Sequence, residues 1–163
     1  MLVALFRRHT RDPLSLFISA VTWGAYVHAA LYFETSGELV EAYWPAVRRR
    51  TLAPGETSGI DFFRLAGLDA NVERHCRSYA DAAVAAHEPY SIEGLFRFLA
   101  PARIFLGDGK EGCGRYPTFC SQFVMEVVKN GANLQLQNAP SFEVDPTHLS
   151  WSPLLIRTNL PHL

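Results

Sequence analysis

Cys120 stands directly after a loop and two residues past a helix-capping threonine, at the start of an amphipathic segment. There the helix macrodipole and the unpaired N–H groups of the first turn favour a thiolate. A thiol that attacks a carbonyl needs a base for its proton and a third group to orient that base. His28, within a β-branched and aromatic run, and Glu41, thirteen residues later, are of the right types. The competing chemistry is a zinc site built from His75, Cys76, Cys113 and Cys120. Six residues separate Cys113 from Cys120, wider than the usual ligand spacing, and His75 and Cys76, adjacent on a helix, point to different faces. No metal or other cofactor is expected. Cys76 is expected to be core filling, and Cys113, in a glycine-flanked loop, a packing or regulatory thiol.

The elements that must carry these residues follow from periodicity. Gly24 opens a strand in which Val27, Ala29, Leu31 and Phe33 share one face and His28 lies on the other. Glu34-Thr35-Ser36-Gly37 is turn chemistry, and Glu38–Trp44 resumes as a strand, which makes a β-hairpin. With a four-residue turn, His28 falls opposite Tyr43 and Glu41 becomes its same-face diagonal neighbour. A slip of one residue would put the two on opposite faces. Asn71 is the expected cap of a helix reaching about His87, with Val72, Cys76, Tyr79, Ala80, Ala83 and Val84 inward. Ser91 caps a short helix with Ile92, Leu95, Phe96 and Leu99 inward. Residues 107–116 form a loop, and Thr118 caps a helix over Phe119–Asn130, stopped by Gly131. The tail from Pro140 is expected to be extended and irregular.

At 163 residues and 48% hydrophobic content, the chain has the size of one compact domain. Fifteen basic residues, thirteen of them Arg, against sixteen acidic ones give a net charge of −1. That balance removes the cationic field a nucleic-acid partner would require. Three cysteines and no secretory leader argue for a reduced compartment. Residues 13–33 carry no charge, yet their polar residues and strand-like second half argue against a stable membrane span and for two buried elements, the first a short helix at residues 14–21. Arg48-Arg49-Arg50 is expected to be a solvated strand end.

Taken in order, the segments I-S-A-V-T-W-G-A-Y-V-H-A-A-L-Y-F, L-V-E-A-Y-W-P-A-V-R, H-E-P-Y-S-I-E-G-L-F, F-C-S-Q-F-V and D-P-T-H-L-S-W-S-P-L resemble the circularly permuted NlpC-type papain-like cysteine peptidases, YiiX-like group, from about Leu5 to Leu155. The resemblance implies an α+β fold with a small antiparallel sheet packed on a cysteine-bearing helix. It puts Cys120 at the nucleophile, His28 at the base, Glu41 at the acid and Tyr90 near the oxyanion, with Ser121 beside it. Gln122 and Ser91 depart from the acidic residues common in that group. The implied activity is a thiol hydrolase cleaving amide bonds of peptides or peptidoglycan stems, with lipid ester hydrolysis or acyl transfer as an alternative. A non-catalytic structural or binding module, such as a phage particle component, is the alternative from another class. The expected location is cytoplasmic or virion-associated, and the oligomeric state stays open.

Overall fold

In the computed structural model the described residues are 1–7, 24–53, 55–96 and 117–160, the side chains of residues 95 and 96 excepted. Six strands, β1 (Leu2–Arg7), β2 (Tyr26–Phe33), β3 (Glu38–Tyr43), β4 (Ala46–Thr51), β5 (Ile60–Leu65) and β6 (Leu155–Thr158), form one antiparallel sheet in the order β4-β3-β2-β1-β5-β6. Among the described residues four helices accompany it: α1 (Ala70–Ala85), α2 (Ile92–Phe96), α3 (Cys120–Ala132) and α4 (Pro146–Ser150). The fold is α+β. None of the described helices is long and apolar enough to cross a membrane, and residues 26–33 of the uncharged stretch are strand β2. The expected helix at residues 14–21 and the loop at 107–116, with Cys113, lie outside the described residues.

β1 sits between β2 and β5, and both of its faces are covered. Val3 and Leu5 join a large cluster with Ala29, Leu31, Val40 and the inner faces of α1 and α3, while Leu2 and Ala4 join Ala30, Tyr32, Leu39 and Phe62 on the opposite face. A strand buried on two faces needs apolar residues at every position, so L-V-A-L-F shows no alternation. The hairpin has the expected register: Phe33 pairs Glu38 and Leu31 pairs Val40, around a turn closed by Gly37 N–H donating to the Phe33 carbonyl at 2.9 Å. Gly37 has φ +67°, which glycine adopts without a Cβ penalty.

Several local expectations are corrected. The cap of α1 is Asp69, whose carboxylate accepts the N–H groups of Asn71 and Val72, each at 2.8 Å; Asp binds the first-turn donors two residues earlier than Asn71 could. Thr118 does not cap α3: Phe119 occupies that position without a side-chain hydrogen bond, because Thr118 is drawn into a bridge with Tyr90. Gly131 is not the stop but lies inside α3, which ends at Asn133 with φ +53°. It is glycine because Cys76 of α1 is pressed against it; a Cβ there would come within 2.6 Å of the Cys76 Cα. The tail is not irregular. It forms a short turn, then α4 with Asp145 as its cap, then the edge strand β6.

Candidate active site

The ladder between β2 and β3 stops at the Leu31–Val40 pair, although both strands run on. His28 and Glu41 lie on that unladdered stretch, on the sheet face opposite the one α3 crosses. The imidazole Nε2 meets the Glu41 Oε2 at 2.8 Å. Since Glu41 occupies Nε2, the nitrogen left for the thiol is Nδ1, and the Cys120 side chain lies within hydrogen-bonding reach of the ring. The rings of Phe6 and Tyr43 flank the imidazole, with centroids 5.1 and 6.0 Å away. They limit its rotation and leave its side chain 18% exposed. Cys120 is buried, at 1% exposure, which favours small or slender electrophiles.

Glu41 is 1% exposed and has a second set of partners that the sequence reading missed. Its Oε1 accepts from Arg48 Nε and from Arg50 Nε, each at 2.9 Å. Arg50 in turn grips Glu56 through both terminal nitrogens, at 2.8 and 2.6 Å. The guanidinium of Arg48 lies 3.7 Å over the ring of Tyr43. The arginine run is in part solvated, as expected, but it also alternates: Arg48 and Arg50 turn to Glu41, and Arg49 turns to Asp81 and Glu38 on the other face. The signal was present in the short turn at Trp44-Pro45, which places Glu41 directly opposite Arg48.

The electrostatics follow from these contacts. Burial alone would raise the pKa of Glu41, but His28, Arg50 and Arg48 outweigh it and hold the carboxyl at about 2. Burial likewise disfavours the imidazolium, yet the hydrogen bonds and charges of Cys120 and Glu41 carry His28 up to about 9. At neutral pH the base is thus set to hold a proton beside the sulfur.

Tyr90 is brought to the same place by backbone pairing. Val47 N–H donates to the Glu88 carbonyl at 2.8 Å and Tyr90 N–H to the Pro45 carbonyl at 2.9 Å, fastening the segment to β4. On its other side Ser91 N–H donates to Thr118 at 2.8 Å and Thr118 N–H to Pro89 at 3.0 Å, so the segment also positions the residues that lead into Cys120. The Tyr90 ring packs on Val27. Burial, and then the charges of Cys120 and Tyr43, push the pKa of its phenol up, so it stays a hydrogen-bond donor.

Ser121, in contrast, is fully buried and donates its hydroxyl to the Val144 carbonyl at 2.6 Å. Its side chain anchors the start of α3 to the tail, so the hydroxyl of this expected oxyanion or substrate residue is engaged within the fold. Gln122 is buried as well and donates to Glu126 at 2.9 Å. Ser91 caps α2 by accepting from Gly94 N–H at 2.9 Å. His75 is exposed and Cys76 buried, and among the described residues no group of three or more His, Cys, Asp or Glu side chains could hold a metal ion. Compared with protein-family models and with curated proteins, the sequence matches none.

Proposed function

We propose that the chain is a thiol-dependent hydrolase of the permuted NlpC-type papain-like kind, acting on amide bonds of peptides or peptidoglycan stems through Cys120, His28 and Glu41. The observation that carries this reading is the 2.8 Å bond between His28 Nε2 and a buried carboxylate, on an imidazole whose pKa the neighbouring Cys120 side chain helps to raise. In the first half-reaction the sulfur of Cys120 attacks the carbonyl carbon, its proton held by His28. The tetrahedral oxyanion takes hydrogen bonds from the Cys120 backbone N–H and the Tyr90 hydroxyl. Collapse breaks the C–N bond, and His28 gives its proton to the departing amine, leaving a thioester. Water then loses a proton to His28, adds to the thioester carbon and releases the carboxylic acid, and the proton returns to sulfur. Glu41 stays ionised throughout and keeps the ring in the productive orientation.

Iodoacetamide labelling at neutral pH, followed residue by residue by mass spectrometry, tests the thiol. Both thiols are buried, but Cys120 has His28 beside it and should be alkylated far faster than Cys76, whose pKa is raised to about 11 chiefly by burial. Equal rates would remove the nucleophile. A panel of stem peptides and short lipid esters then tests the substrate: Cys120→Ser should abolish any turnover the parent shows, and undiminished turnover in that variant would reassign the chemistry.

A further inference from the structure

The carboxylate that orients His28 is also held from behind. Glu41 uses Oε2 for the imidazole and Oε1 for two guanidiniums, and one of these, Arg50, is shared with Glu56. Glu56 is fixed by the Ala53 N–H at 3.0 Å and opens the turn between β4 and β5. A continuous chain of charged hydrogen bonds thus runs from that turn through Arg50 and Glu41 to His28. Such a chain is unnecessary for strand pairing, because the β3–β4 ladder is complete from Glu38–Thr51 to Tyr43–Ala46.

We propose that Arg50, seated between Glu41 and Glu56, is a positioning residue: with Arg48 it fixes Glu41 by Oε1 and takes up part of its negative charge, so that Oε2 faces His28 without locking the proton onto the ring. This rests on the hydrolase reading above, in which His28 must surrender that proton to the leaving amine. A lone buried carboxylate against an imidazolium would hold the proton tightly, and two cations on its far oxygen weaken that pull. Glu56 sets the dose, since its own charge is partly spent on Arg50. The charged and titratable groups arranged about His28 are Cys120 from α3, Glu41 and Tyr43 from β3, Tyr90 from the segment beside β4, and Arg48, Arg50 and Glu56 through Glu41.

The test is the titration of the His28 ring by NMR, its signal identified by its loss in His28→Gln. Arg50→Gln and Arg48→Gln each remove a cation and should move the midpoint upward by about half to one pH unit. Glu56→Gln removes an anion and should move it downward, and Arg50→Lys should recover most of the shift of Arg50→Gln. A role confined to folding has no reason to produce opposite signs. An unmoved midpoint in both arginine variants, or Arg50→Gln and Glu56→Gln moving it the same way, would overturn the proposal. Arg48 is 45% exposed, so Arg48→Gln supplies the sign even where Arg50→Gln fails to fold. Iodoacetamide labelling of the parent separates the two readings. A slow Cys120 with the opposite-signed shifts intact would sink the hydrolase assignment alone, and a fast Cys120 with no shifts would sink only the role of the arginines.

Discussion

His28 and Glu41 meet at 2.8 Å across two strands whose ladder has already ended. Side chains carry the connection where the backbone has let go, and this leaves room for the start of α3 to bring Cys120 to the same ring. Replacing Glu41 should therefore affect both chemistry and stability. Glu41→Gln keeps the shape but removes the charge that three donors share, so the His28 midpoint should fall below its value of about 9 and alkylation of Cys120 at neutral pH should slow. Because Glu41 is buried and Arg50 is left with only Glu56, the fold should lose about 2–4 kcal/mol, read from denaturant unfolding. An unchanged His28 titration would assign the orienting role elsewhere.

Stability should have a definite pH profile. His28 is raised in the folded state, so its contribution is complete below its ordinary value of 6.5 and is lost as pH rises through about 9. Glu41 is depressed, so its contribution is complete above 4.5 and is lost as pH falls through about 2. Asp61, lowered against burial by Arg7, Tyr26 and Arg157, acts in the same direction as Glu41. The melting temperature should be highest between about pH 5 and 6.5 and fall toward pH 9. His28→Gln should flatten the alkaline side; an alkaline slope identical to that of the parent would contradict the assignment.

Tyr90→Phe separates the hydroxyl from the scaffold. The segment is held by backbone bonds on both sides and the ring packing on Val27 is kept, so the melting transition should move little. Turnover of any substrate the parent accepts should drop by about 100-fold, the scale for losing one oxyanion donor. Full activity in Tyr90→Phe would leave the oxyanion to backbone N–H groups.

The contact between α1 and α3 predicts an unusual response to a helix-favouring change. Gly131→Ala should gain about 1 kcal/mol of helix propensity, but its Cβ would meet the Cys76 backbone N at 2.8 Å and Cα at 2.6 Å, neither of which can rotate away. The overpacking should win, for a net loss of about 1–2 kcal/mol on thermal unfolding. Cys76→Ser, which puts a hydroxyl in the same place, should cost about 1–3 kcal/mol without altering Cys120 labelling of the folded fraction. A more stable Gly131→Ala would show that the two helices can separate freely.

Where apolar residues recur with a period or a turn carries its own residue signature, the element was legible in the sequence. The alternation around Val27–Phe33 and the turn at Glu34–Gly37 fix the hairpin register, hence the His28–Glu41 diagonal, and the three-and-four spacing marks α1 and α3. What was hidden has a physical cause in each case. β1 carries no period because both its faces are buried, and β5 is six residues whose polar Asp61 is spent on Arg7, Tyr26 and Arg157. Arg48 and Arg50 looked like solvent-facing charge because their partner lies one strand away. Ser121 looked chemical by adjacency to Cys120, yet its hydroxyl is spent on the Val144 carbonyl.

The arginine run also lies on an outer strand of the sheet among the described residues, with β4 at one end of the order and, of those residues, Glu88 to Tyr90 lying against its beginning. Beyond Val47 none of the described residues pairs with its outer backbone edge, and an edge of that kind accepts a strand from another molecule, the usual route to ordered aggregates. Three consecutive guanidiniums, alternating between the two faces and tethered by Glu41, Glu56, Glu38 and Asp81, set bulky hydrated charge along that edge. An incoming strand would have to dehydrate them. Removing these charges thus exposes the chain to self-association, and variants of β4 call for sedimentation at rising concentration before any loss of function in them is ascribed to the chemistry of Glu41.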